Sequence, residues 1–361
     1  MITRRNLAMM GIGAGVGLSV SEVSGKYGFS QAYAKTLTHS NKGHTATKAH
    51  KSHHSSNGHH YNGDYAQFLN SVRSEALSKG YNAAIIDQAL NFTAPNDKVL
   101  QLDRHQPEFT MTWAQYRSRV LPESKLKKAR QAYSANQDLV SQVTDHYPAD
   151  PGVILGIWGV ESAFGTKMGT FHVIDALATL SYAGRRTAFF HSELMKALKI
   201  LSNGDTVPQG MFGSYAGAMG QPQFMPSAYL RYAVDFDGDG KRNIWTSRAD
   251  SLASVANYLV QCGWNSGEPW GEPITVPSGF SSANTGRKLT RSVEEWANIG
   301  VRPVSGEAFR MANGTGAVLM PDGVGGEAFM VYHNFNVIRR YNPSDFYALG
   351  VGLMGDSATV S

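Results

Sequence analysis

The alternation of apolar and polar residues along the chain predicts a largely helical protein. Phe68, Val72, Ala76 and Leu77 form one stripe behind a capping Asp64, with Gly80 as its stop signal. Similar spacing runs over Asn82 to Leu90 and, through Leu126, Tyr133, Val140 and Val143, over Glu123 to Tyr147 as one long helix. Further helices are expected at 153–165, around Ile174 to Tyr182, at Arg186 to Leu201 before Asn203-Gly204, from Ser227, and from Asp250 to Gly263. Beyond Trp270 the pattern changes. Short runs at Ile274 to Val276, Ala317 to Met320 and Phe329 to Tyr332, with the turn Pro321-Asp322-Gly323, suggest a small C-terminal β element, and Ser344 to Leu353 reads as a closing helix. The fold class expected is therefore mainly α (α+β).

The stretch Val153 to Gly165 places a single acid inside an apolar run. Asp150 can cap its helix, and Pro151 stands at the first helical position, where its missing N–H leaves nothing unpaired. Helical spacing sets Glu161 on the face of Ile154 and Phe164, toward the core. Desolvation there disfavours the anion, raising the pKa toward the range of a glycosidase general acid. A structural acid paired with a neighbouring Arg would leave the same trace in the sequence.

Charge and composition narrow the function classes. Residues 1–64 hold seven Lys and Arg against Glu22 and Asp64, which accounts for the whole formal net charge of +5 in the 361-residue chain. The folded remainder has no net charge, which argues against a nucleic-acid-binding fold. The lone cysteine, Cys262, rules out an intrachain disulfide or a cysteine zinc site. Residues 1–34 have the layout of an export signal, with Arg4 and Arg5 before a Gly-rich apolar segment and a twin-arginine resemblance at Thr3 to Leu7. No cysteine follows that segment, so a periplasmic protein without a lipid anchor is expected. Residues 35–64 carry seven of the twelve histidines and hardly any large apolar residue. They read as a disordered linker, either a weak metal binder or a tether that gains charge as pH falls.

Asp235, Asp237 and Asp239 alternate before Gly240, as in the first half of an EF-hand loop, although the twelfth position is Thr246. Asp250 is a displaced substitute. The expectation is a structural Ca²⁺ (or Na⁺) site, with an Asp-rich turn as the alternative, and no cofactor for catalysis.

Trp158-Gly-Val-Glu161-Ser-Ala-Phe-Gly165, followed by Gly217-Ala-Met-Gly220-Gln-Pro-Gln223-Phe-Met-Pro-Ser227, resembles the lytic murein transglycosylases of the membrane-bound lytic transglycosylase B family. The likeness extends to Leu102-Asp-Arg-His-Gln-Pro-Glu108, Tyr232 to Asp239, Asn243-Ile-Trp245, Ser254 to Tyr258, Asn334 to Ile338 and Tyr341 to Tyr347. It thus covers most of residues 65–361, the expected catalytic region.

The resemblance implies a lysozyme-like helical core over about 150–270, a small β element over about 271–335, and peptidoglycan glycan strands as substrate. It assigns Glu161 first as acid toward the MurNAc–GlcNAc oxygen, then as base toward the muramoyl C6 hydroxyl, giving a 1,6-anhydro product. No second carboxyl shares the Glu161 helix, although a partner such as Asp175 could arrive through folding. By similarity Ser214 and Gln223 border the cleft, with Gln223 near Glu161, and Tyr116, Tyr258, Tyr341 and Tyr347 present faces to sugar rings, core packing being the other reading for the tyrosines. Arg185 and Arg186 would meet stem-peptide carboxylates, or else pair with Glu161 or cap a helix. Asp235, Asp237, Asp239, the Lys241 carbonyl and, displaced, Asp250 match the family's cation loop. The expected protein is a monomer whose partners, besides peptidoglycan, are cell-wall synthesis or division proteins. A muramidase hydrolysing the same bond and a non-catalytic peptidoglycan-binding protein are the competing readings.

Overall fold

The structure, a computed structural model, describes residues 64–104 and 111–359. The export signal, the linker up to residue 63 and the His105 to Glu108 part of the third motif lie outside them.

Asp64 accepts the amide of Gln67 and starts α1 (Tyr65–Ser78), whose Phe68, Val72 and Ala76 are buried. Asn82 caps α2 (Ala83–Ala89) in the same way. After α3 (Asp97–Arg104), α4 (Trp113–Val120) opens on a Thr112 capping box, and the amides of Trp113 and Ala114 donate to Asp322 in the turn between two distant strands.

The single helix expected over Glu123 to Tyr147 is two, α5 (Glu123–Ser134) and α6 (Gln137–His146). They separate at Asn136, whose amide donates to the carbonyl of Ala132 and whose Oδ1 accepts from Arg248. An Asn that bonds its own backbone competes with the helix ladder, which the apolar spacing does not record.

α7 (Pro151–Ser162) has the expected cap, Asp150 accepting from Val153 at 2.8 Å, and every residue from Gly152 to Ser162 is buried. A helix apolar all round belongs in a core. It stops at Ser162, because Ala163 and Phe164 adopt φ of 49° and 60°. Phe164 thus leaves the helical face expected for it and turns back over Gly159, with its ring edge-on to Trp158 at 5.5 Å.

The pair α8 (Val173–Ala183) and α9 (Thr187–Asn203) follows, then α10 (Pro226–Tyr232) and α11 (Arg248–Gln261). β1 (Phe171–His172) and β2 (Phe212–Gly213) make a two-stranded ribbon beside them.

The β element is a five-stranded antiparallel sheet in the order β4-β6-β7-β3-β5. Its strands are β3 (Gly271–Thr275), β4 (Arg291–Ser292), β5 (Arg302–Pro303), β6 (Thr315–Leu319) and β7 (Ala328–Val331), with α12 (Val293–Asn298) between β4 and β5. Ala317, Leu319, Phe329 and Val331 join the main helical core, whereas Val318, Ala328 and Met330 face a second cluster around Trp296. Burial on both faces makes these strands continuous apolar runs.

The chain closes with α13 (His333–Tyr341) and α14 (Asp345–Thr359), the latter longer than the expected Ser344 to Leu353. α14 lies directly on α7. A Cβ on Gly156 would come within 2.2 Å of the Val351 carbonyl oxygen, and one on Gly355 within 2.4 Å of that of Gly152. Only glycine allows two backbones to approach so closely. Among the described residues no helix is long and apolar enough to cross a membrane.

Candidate active site

Glu161 sits in the last turn of α7 and is 1 % exposed. Its Oε1 accepts the Tyr347 hydroxyl at 2.7 Å, and its Oε2 is buried with no hydrogen-bond partner. Burial raises its pKa to about 8, against the smaller opposing effect of the Tyr347 hydrogen bond. The group is therefore a carboxylic acid at neutral pH, able to give a proton and then to hold the resulting charge against one hydroxyl. Among the described residues no second carboxyl bonds to it or shifts its proton equilibrium. Asp175 is engaged elsewhere, by the Asn96 side-chain amide at 2.6 Å.

Three of the four expected tyrosines form a buried stack against this acid. Tyr347 lies parallel to Tyr341 (centroids 6.5 Å apart, 12°), and Tyr341 tilts against Tyr258 at 4.6 Å. Their hydroxyls are engaged inside the protein: Tyr341 donates to the Pro222 carbonyl and Tyr258 to that of Arg340. The structure buries Tyr258, Tyr341 and Tyr347 rather than presenting their faces. Burial and the nearby Glu161 charge hold Tyr341 and Tyr347 well above the usual phenol range, so Tyr347 stays a neutral donor. Tyr116, half-buried, packs between Trp113 and Phe346, and the same two causes raise its pKa, which places it on the Glu161 side of the core.

Ser214 and Gln223 hold the Gly-rich segment in shape. Ser214 Oγ accepts from the amides of Ala216 and Ala218. Gln223, at φ 52°, donates from Nε2 to the carbonyls of Met168 and Gly220 and makes no hydrogen bond to Glu161. A residue that sequence reasoning assigned no role is Gln221, whose Oε1 accepts Trp158 Nε1 at 2.9 Å and whose Nε2 donates to the Trp245 carbonyl. This clamps α7 to the loop. A buried glutamine in an aperiodic segment carries no spacing signal.

Neither arginine pairs with Glu161. Arg185 binds Asp103 through its backbone amide and its guanidinium, and Arg186 lies over the rings of Phe189 and Phe190.

In the acidic loop, Asp235, Asp237 and Asp250 bring carboxylate oxygens within 4.8 Å of one another. Asp250, fully buried at the start of α11, also accepts the amides of Phe236, Asp237 and Asn243. Asp239 stands outside this group and accepts the Lys241 amide. An all-oxygen set of this kind suits a hard cation.

Residues 64–356 match the family model described as Transglycosylase SLT domain. The chain is 31% identical over 319 residues to the membrane-bound lytic murein transglycosylase B of Escherichia coli (strain K12), covering 83% of this chain and 85% of that one. SltB3 from Pseudomonas aeruginosa, solved in complex with NAG-anhNAM-pentapeptide, superposes with a TM-score of 0.78 at 41% identity over 81% of this chain and 79% of its own. The Escherichia coli lytic transglycosylase Slt35, solved in complex with calcium, gives a TM-score of 0.69 at 31% identity over 82% and 94%. A helical core that buries Glu161 at the end of α7, matched in sequence and shape along most of its length, makes this chain a member of the lytic murein transglycosylases.

Proposed function

We propose that the protein cleaves the MurNAc–GlcNAc β-1,4 bond of peptidoglycan without water, releasing 1,6-anhydromuropeptides. The observation that carries this is the solitary protonated Glu161, with one oxygen held by Tyr347 and the other unpartnered. The proton passes to the glycosidic oxygen as the C1–O bond breaks. The muramoyl C6 hydroxyl then attacks C1, and its proton returns to Glu161. One carboxyl suffices for both transfers, whereas hydrolysis of the usual kind needs two placed across the bond. The SltB3 complex with an anhydromuramoyl ligand supports the same product.

Two finer readings accompany it. Export to the periplasm is supported by the composition of residues 1–34 and by the place where peptidoglycan lies. A structural Ca²⁺ held by Asp235, Asp237 and Asp250 is supported by their oxygen donor set and by the calcium complex of Slt35.

Mass spectrometry of fragments released from purified peptidoglycan tests the reaction, beside a Glu161→Gln control. Anhydro ends from the wild type alone are expected. Products heavier by one water, with reducing ends, would overturn the lyase reading.

A further inference from the structure

We infer that the β element serves the reaction through a single turn: Asp322 and Glu327, between β6 and β7, are positioning residues that hold α4, and with it Tyr116, against the side of the core where Glu161 gives its proton. This rests on the reading of Glu161 as proton donor given above.

The turn grips the start of α4 from two sides. Asp322 takes the amide of Trp113 on Oδ1 at 2.6 Å and that of Ala114 on Oδ2 at 3.0 Å. Neither amide has a partner inside the helix, and an anion there also meets the positive end of the helix dipole. Glu327 accepts the Trp113 indole Nε1 at 2.6 Å on one oxygen and bonds the Arg117 guanidinium with the other. Trp113 is 1 % exposed, and a buried indole N–H left without an acceptor is costly. The Arg117 pair is exposed and adds little by itself. An eight-residue helix has little stability of its own, so what holds α4 decides where its side chains sit.

Through Trp113 the grip reaches Tyr116. The two rings stack 5.9 Å apart, and Trp113 also lies edge-on to Phe329 of β7 at 5.8 Å and against Phe346 of α14 at 5.7 Å. Phe346 directly precedes Tyr347, the donor to Glu161. Tyr116 itself packs on α14, where a Cβ on Gly350 would lie 3.4 Å from its ring. Tyr116 feels the Glu161 charge, which makes its ring part of the wall that keeps water from the acid. Glu161 shares its field with Tyr347 and Tyr341 from α14 and α13 and with Tyr116 from α4, whereas neither Asp322 nor Glu327 shifts its proton equilibrium. The two carboxylates of the turn therefore act on the acid by position and not by charge.

The test follows anhydromuropeptide release against pH for the wild type, Asp322→Ala, Glu327→Ala and Glu327→Gln, with Tm measured for each. Loosening α4 admits water to Glu161 and favours its anion. Both alanine variants should therefore lower kcat about tenfold, the worth of one hydrogen bond to a charged group, and bring the alkaline fall in activity down by about one pH unit from its place near pH 8. Glu327→Gln keeps an acceptor for the indole while losing the charge, and should hold the wild-type profile. Asn82→Ala removes a comparable cap, that of α2, and should lower Tm without moving the profile. Tyr116→Ala should move the profile in the same direction, and its combination with Asp322→Ala should move it no further. If Asp322→Ala does not fold, Asp322→Asn, which keeps one acceptor, should show about half the shift. An unmoved profile in the alanine variants, an equal shift in Glu327→Gln or Asn82→Ala, or additive shifts in the double variant would each overturn the assignment. Absence of anhydro products from the wild type would instead overturn the reading on which it rests.

Discussion

Replacing Glu161 by Gln should stabilise the protein, and by an amount that depends on pH. In the folded chain this carboxyl keeps its proton up to about pH 8, whereas its ordinary pKa is 4.5. Below pH 4.5 the group is neutral in both states and its burial costs little. Between 4.5 and 8 the unfolded chain ionises while the native one stays protonated, so unfolding releases a proton and stability falls as pH rises. Above 8 the loss is complete. At about 1.4 kcal/mol per pH unit, the interval from pH 5 to pH 8 removes on the order of 3 kcal/mol from the wild type. The side chain is 1 % exposed, so little of this is screened by solvent.

Gln has nearly the same shape, can still accept from Tyr347 and does not titrate. Urea unfolding of both proteins at pH 5 and pH 8 isolates the effect, because any constant difference made by the extra amide donor cancels between the two conditions. The advantage of the variant should grow by on the order of 3 kcal/mol across that interval. A difference independent of pH would mean that Glu161 titrates in its ordinary range. Bound substrate alone would then have to raise its pKa, and burial would not account for the proton.

Three further outcomes follow from the same geometry. Tyr347→Phe removes the donor that favours the Glu161 anion, so the alkaline fall in activity, near pH 8 in the wild type, should move up by about one unit; a downward shift in the rate of anhydro release against pH would contradict this. Gly156→Ala forces a Cβ to within 2.2 Å of the Val351 carbonyl and should cost about 3 kcal/mol in urea unfolding, whereas a loss below about 1 kcal/mol would place α7 and α14 farther apart than described. Calcium at a hundred times its dissociation constant should stabilise the wild type by about 2.7 kcal/mol, read as a rise in Tm that Asp237→Asn abolishes; an equal rise in both proteins would remove the ion from the Asp235 loop.

The parts of this fold that local chemistry dictates could be read from the sequence. Asp150 and Pro151 announce the start of α7, Asp64 that of α1, and an acid isolated in an apolar run marks Glu161. What stayed hidden depends on contacts between distant segments. Tyr347 lies 186 positions from the acid it bonds, and nothing in its own segment says that it turns inward. Asn136 ends a helix through a side-chain bond to the preceding turn, and Phe164 leaves its expected face by a positive φ that no spacing rule anticipates. The motif resemblance brought the tyrosines, Ser214 and Gln223 together as cleft residues. It could not show that the hydroxyls of Tyr258, Tyr341 and Tyr347 and the side chains of Ser214 and Gln223 are engaged by hydrogen bonds inside the protein.

The glycines of α7 link its helical preference, its packing and the proton affinity of Glu161. Gly152, Gly156 and Gly159 each lower helix propensity by about 1 kcal/mol relative to alanine, so by local preference this is a poor helix. Their effect appears only in the packed state. Gly152 and Gly156 let the α14 backbone come down onto α7, and Gly159 leaves room for the Phe164 ring and the Met354 sulfur. That approach excludes water from the end of α7 and brings Tyr347, carried on α14, to 2.7 Å from Glu161. The acid's proton affinity therefore depends on how closely two backbones pack. A methyl group at Gly156 that spreads the pair would admit water to Glu161, stabilise its anion and draw the alkaline fall in activity toward lower pH, opposite to the shift expected from Tyr347→Phe.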